Sequence, residues 1–196
     1  MMNYLKDKTV IITGASSGIG AASARELAAH GARIVIAARD AEGVEAMVDE
    51  LRASGAQALG YVCDVTSRAE MVALAQFAQD SFGSVDILIN NAGLMLFSNW
   101  TDVAIDDWDK MVDVNIKGYL NAIAAVLPWM MRQGSGQILN MDSVAGHQVG
   151  PAAGAYSATK FFVQAMTESM RKELGVHHGI RVNTVQSWSD QHWLGR

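Results

Sequence analysis

At 196 residues the chain is long enough for one domain with a real core. Half of its residues are hydrophobic and 18% are charged, which excludes a disordered chain. The net charge of −5 offers no electrostatic footprint for nucleic acid. The single cysteine, Cys63, excludes an internal disulfide framework and fits a reducing compartment. Residues 1–8 are polar and lack a signal-peptide core, and no apolar run reaches membrane-spanning length. A soluble, cytoplasmic protein without membrane or nucleic-acid partners is expected.

Two kinds of segment alternate along the chain. Short β-branched runs occur at 9–12, 33–36, 58–62, 85–89, 137–140 and 180–185. Each is too short for a typical helix and lacks strict polar alternation, as strands buried on both faces do. Between them lie stretches with helical spacing. Residues 21–30 are alanine-rich, and 42–53 place Val44, Met47, Val48 and Leu51 on one face. Met71, Leu74, Ala75 and Ala78 repeat the pattern, and longer helices are expected over 106–132 and 155–174. Pro128 is expected to kink the first of these. No linker divides the chain. The expected fold class is α/β: one Rossmann-like, doubly wound parallel sheet of about six strands with helices on both faces.

The first strand runs into Thr13-Gly14-Ala15-Ser16-Ser17-Gly18-Ile19-Gly20, which opens a helix. Glycines let the backbone turn tightly and approach a ligand. The free amides of the helix start then suit an anion such as a pyrophosphate. Tight-turn glycines without a ligand would give the same spacing. Further on, Tyr156 and Lys160 are four residues apart and share one helix face. An ammonium nearby favours phenolate and would lower the tyrosine pKa from about 10. Read singly, such a pair is a surface pair, Asn115 a satisfied buried residue, and Ser143 a helix or turn cap.

In order, these features resemble the classical short-chain dehydrogenases/reductases over about residues 8–185. The glycine turn matches their Thr-Gly-x-x-x-Gly-x-Gly. Asp64 and Val65 follow the third strand, Asn90-Asn91-Ala92-Gly93 the fourth, and Ser143 ends the fifth. Tyr156-Ser-Ala-Thr-Lys160 is the family's Tyr-x-x-x-Lys. The resemblance implies hydride transfer between a nicotinamide cofactor and a small alcohol or carbonyl substrate. Tyr156 would be the acid or base, and Ser143 would hold the substrate oxygen. Lys160 would bind the nicotinamide ribose, and Asn115 would hold a water that links Lys160 to solvent. Gly14, Ser16, Ser17, Gly18, Ile19, Gly20, Arg39, Asp64, Val65, Asn91, Ala92 and Gly93 would contact the cofactor together with Tyr156 and Lys160, Asp64 at the adenine. At the second strand's tip Ala38 replaces the acid that would bind an NAD ribose, and Arg39 suits a 2′-phosphate. NADP is therefore expected. Asp40 keeps NAD open, and Arg39 could be a solvated strand-end charge. Assembly as a homo-dimer or tetramer through the two long helices is implied.

Other polar residues carry less. Cys63 lacks a partner at metal spacing, and no metal site is expected. His177 and His178 would cap the last helix. His147 could line the substrate pocket or be a solvated loop residue. The run from Leu94 to Phe97 could be a pocket wall or core.

The tail departs from the family. After Gln186 the family has Pro-Gly and, four residues on, a threonine; this chain has Ser187-Trp188 and ends at Arg196. A substrate lid and last strand are expected to be missing. With one base removed, a permitted codon set from Gln186 reads Gln-Pro-Gly-Val-Ile-Asn-Thr-Gly-Trp. The last ten residues are therefore expected to be a frameshifted or truncated ending that impairs the enzyme. Two other readings stand beside this one: a non-catalytic NADP-binding protein, and a product too unstable to fold.

Overall fold

The computed structural model describes residues 4–187. Of the expected frameshifted segment, Ser187 to Arg196, all but Ser187 lies outside the described residues. Six strands form one sheet: β1 (Thr9–Thr13), β2 (Arg33–Ala38), β3 (Ala58–Val62), β4 (Ile87–Asn90), β5 (Gly136–Ser143) and β6 (Ile180–Ser187). Their order is β3-β2-β1-β4-β5-β6 and every pairing is parallel. The helices are α1 (Gly18–Ala29), α2 (Ala41–Ala53), α3 (Arg68–Phe82), α4 (Ile105–Val112), α5 (Gly118–Gln133) and α6 (Gly154–His178).

Successive strand side chains point to opposite faces, so a sheet covered twice needs apolar residues at every position. All five residues of β1 are buried. Val10 and Ile12 join Ala21, Ala24, Val44 and Val48 on the α1–α2 side. Ile11 joins Met71, Leu74, Ile123 and Leu174 on the side of α3, α5 and α6. This is the doubly wound arrangement expected from the sequence.

Three details differ from expectation. β5 and β6 run past their apolar stretches because they pair over eight positions, from Gly136↔Ile180 to Ser143↔Ser187. The helix expected over 106–132 comprises α4, a π turn at Asp113–Lys117, and α5. The departure from α geometry thus falls at the π turn, and α5 continues through Pro128 to Gln133. Such turns recur at functional positions, and this one contains Asn115.

The strand order reverses between β1 and β4. In open parallel sheets, ligands sit beyond the C-terminal ends of the strands at such a switch point. The glycine turn follows β1 there, and Asn91 follows β4. Among the described residues, no helix is long and apolar enough to cross a membrane.

Candidate active site

The glycine turn is built for close approach. Gly14 has φ +65°, and a Cβ there would lie 2.8 Å from the Ala92 Cα. A Cβ on Gly20 would meet the Gly14 carbonyl oxygen and the Asn91 amide nitrogen, each at 2.5 Å. Only hydrogen fits at Gly20, so the first turn of α1 presses directly against the two loops. Thr13 and Asn91 lock them together. Thr13 Oγ1 accepts from the Asn91 and Ala92 amides at 3.0 and 3.1 Å. Asn91 Nδ2 donates to the carbonyls of Thr13 and Gly14, both at 3.0 Å. Sequence reading placed Asn91 in the site but missed Thr13 as the hub.

A cleft of about 340 Å³ opens beside this turn. Its walls bring together Gly14, Ser16 and Ser17 with Arg39, Asp64, Val65, Asn91, Ala92 and Gly93. Gly18, Ile19 and Gly20 form the start of α1. Ser17 is its N-cap, and its side chain caps no amide of the helix. The unsatisfied N–H groups of that first turn suit an anion. Arg39 is largely exposed and stands 4.0 Å from Asp64, so its guanidinium is only loosely held. Asp64 accepts from the Thr66 amide at 2.8 Å. Cys63 also lines the cleft, but burial first, and then Glu70 and Asp64, push its thiol up to about 12. A larger depression of about 590 Å³ lies between α1 and α2, at the N-terminal ends of β2 and β3, away from every expected site residue.

The residues expected to form the acid/base set meet beyond the cleft. Ser143 ends β5, and Tyr156 and Lys160 lie on the first turns of α6. Ser143 Oγ accepts from the Ala145 amide at 3.2 Å, and the Ser143 hydroxyl beside Tyr156 favours the phenolate. Ser143 is thus the turn cap that the sequence allowed. The buried Lys160 donates to the Met141 carbonyl at 2.8 Å, and Tyr119 donates to the same oxygen at 2.9 Å. Burial pulls the Lys160 ammonium down to about 8, against the charge of Asp142, which raises it.

Tyr156 departs from expectation. Its pKa is raised, not lowered: burial is the main cause, Ser143 opposes it, and Asp142 adds to it. Lys160 Nζ lies 5.8 Å from the Tyr156 ring centre and is bonded to the Met141 carbonyl, and burial of the phenol outweighs what lowers its pKa.

Asn115 is wholly buried in the π turn. Its amide clasps the Leu94 backbone, accepting from the N–H and donating to the carbonyl, both at 2.8 Å. It also donates to Thr159 Oγ1 at 3.1 Å. Asn115 therefore ties the turn after β4 to α6. In the Leu94-to-Phe97 run, Met95 and Phe97 are exposed, which fits a pocket wall and not core. His147 is half-exposed and approaches Gln164 Nε2 at 2.9 Å. His177 and His178 occupy the last turn of α6 before Gly179.

A six-stranded parallel sheet with a glycine turn and a helix start at its switch point defines a dinucleotide-binding α/β protein. The chain belongs to the short chain dehydrogenase family, whose model matches residues 8–187. An uncharacterized oxidoreductase of Staphylococcus aureus strain MW2 is 41% identical over 184 residues, 94% of this chain and 78% of that protein. Glycine betaine reductase ATRR of Emericella nidulans is 41% identical over 182 residues, which are 93% of this chain but only 14% of that protein. Two solved structures from Burkholderia species share the fold. A gluconate 5-dehydrogenase from Burkholderia cenocepacia, in complex with NADP and tartrate, has TM-score 0.89 and 33% identity over 94% of this chain and 72% of that one. A short chain dehydrogenase/reductase from Burkholderia phymatum, in complex with NAD, has TM-score 0.90 and 33% identity over 95% of this chain and 66% of that one. The family is one of oxidoreductases, and these neighbours support a nicotinamide dinucleotide as the cofactor.

Proposed function

We propose that the chain interconverts an alcohol and a carbonyl compound with NADP(H). The observation that carries this reading is the meeting of Ser143, Tyr156 and Lys160 beside a cleft lined by the glycine turn. The cofactor fits that cleft: the uncapped α1 amides beside Gly14, Ser16 and Ser17 would face a pyrophosphate, and Arg39 supplies a loosely held cation for a 2′-phosphate. When bound, the nicotinamide supplies the hydride.

The chain's own residues then handle the proton and the geometry. Ser143 donates a hydrogen bond to the substrate oxygen and orients it toward Tyr156. Tyr156, with its pKa raised, holds a proton at neutral pH and delivers it to that oxygen during reduction. Lys160 would hold the nicotinamide ribose hydroxyls through its ammonium. Asn115 keeps the Leu94 backbone and α6 in register, so the cleft and the acid/base pair stay adjoining. Leu120, Met131 and Phe161 are exposed on α5 and α6, which supports self-association through those helices.

The test is Tyr156→Phe with NADPH and a panel of carbonyl compounds. Turnover should fall by about 10³-fold or more while NADPH binding stays within about twofold. Retained turnover would remove Tyr156 from the mechanism.

A further inference from the structure

The residue before Ser143 is a buried carboxylate. Asp142 is 2% exposed, at the end of β5. Gln164 Nε2 donates to its Oδ2, and His147 Nε2 lies 3.5 Å from the same oxygen. Its Oδ1 is buried and has no hydrogen-bond partner. The loop closes over it at Gly146, where a Cβ would sit 2.5 Å from Oδ1. A buried charge is costly, and one held with an unbonded oxygen more so. Apolar packing around it does not require it, since Met141 before it and Val144 two residues after it are buried apolar residues.

What surrounds the carboxylate is the proton machinery. The neighbouring Met141 carbonyl receives both Lys160 and Tyr119. Tyr156 and Lys160 approach from α6, Tyr119 from α5, and His147 from the loop after β5. We propose that Asp142 is a positioning residue whose fixed charge, clamped by Gln164, His147 and the Gly146 turn, holds the Tyr156–Lys160 pair in its proton-loaded form and so biases the site toward reduction. This rests on the reading of Tyr156 and Lys160 given above. The sign does not depend on which of the two loses its proton first. Removing a negative charge makes either loss easier. The pH midpoints of the pair must therefore fall when Asp142 loses its charge, and the reduction rate must decline at lower pH. The electrostatic field at Tyr156 and Lys160 agrees, because Asp142 raises both.

The experiment is an ultraviolet phenolate titration of the chain, with the Tyr156→Phe spectrum subtracted so that only Tyr156 is read. Asp142→Asn should move the Tyr156 midpoint down by about one pH unit. Asp142→Ala, which leaves no buried amide unpaired, should move it likewise and covers the case where Asn does not fold. Asp142→Glu keeps the charge and should hold the midpoint within a few tenths of a unit, even if its melting temperature drops. Repeating the series in a His147→Gln background removes the neighbouring titration. An unmoved midpoint in both neutral variants, or an equal shift in Asp142→Glu, would overturn the proposal. The readout needs no turnover, so loss of the catalytic reading and loss of this one are separately visible.

Discussion

Lys160 and Tyr156 share one face of α6, with the ammonium nitrogen 5.8 Å from the tyrosine ring centre and bonded to the Met141 carbonyl. The arrangement keeps a cation 4% exposed where burial opposes its charge. Its pKa falls from 10.5 to about 8, so between those values the folded chain binds fewer protons than the unfolded one. Stability therefore rises with pH across that window and is lowest below it.

Lys160→Met should remove that cost. The shift corresponds to about 3 kcal/mol below pH 8, and loss of the bond to Met141 should cancel about 1 kcal/mol of the gain. The variant should melt several degrees higher than the parent at pH 7, with the difference shrinking toward pH 10.5, and should lose turnover. Melting curves at both pH values check this; a variant that melts lower at pH 7 would contradict it.

Gly20→Ala tests the cradle. The added methyl would lie 2.5 Å from the Gly14 oxygen and from Asn91 Nδ2, so the helix start must move away from the turn. Overpacking of this kind costs about 1–3 kcal/mol. NADPH affinity, measured by fluorescence titration, should fall by about tenfold or more. Unchanged affinity would mean that the turn does not hold the pyrophosphate.

Much of this framework was legible because burial on two faces leaves a strong trace. β1 and β2 are nearly continuous apolar runs, and both begin where those runs begin. The apolar runs stop before the ends of β5 and β6, because the last residues are held by pairing with each other and Asp142 and Ser143 carry no apolar signature; motif order alone set the end of β5 at Ser143. The π turn around Asn115 is a change in hydrogen-bond step, which composition does not encode. Tyr156, Lys160 and Ser143 were found through motif order. Asp142 was passed over although a charge beside Ser143 was visible; its partner Gln164 is 22 positions away, and only the fold joins them. The tyrosine shift was misjudged because spacing reveals a nearby ammonium but not the burial that outweighs it.

The proposed preference for NADP(H) rests on Arg39. Its guanidinium is exposed and loosely paired, so little must be broken to engage a 2′-phosphate. A charge-assisted bond of this type contributes about 1.5–3 kcal/mol. Arg39→Ala should weaken NADPH by about tenfold to a hundredfold and leave NADH within about twofold, as read from kcat/KM for each. An equal loss for both would return Arg39 to the status of a solvated strand-end charge.

Thr13 is the joint on which the cleft depends. Its hydroxyl is 1% exposed, accepts from two amides after β4, and donates to the Ile89 carbonyl at 3.4 Å. Thr13→Val keeps the shape but leaves those amides without their acceptor. Unpaired groups of this kind cost about 1–3 kcal/mol each, although one amide can reach water in the cleft. The variant should unfold at lower denaturant by about 2 kcal/mol overall and bind NADPH more weakly, because the Asn91–Gly93 wall loosens. Thr13→Ser keeps the oxygen and should recover most of the affinity while losing part of the packing. If Val matches the parent in both stability and affinity, the two loops are held by Asn91 alone.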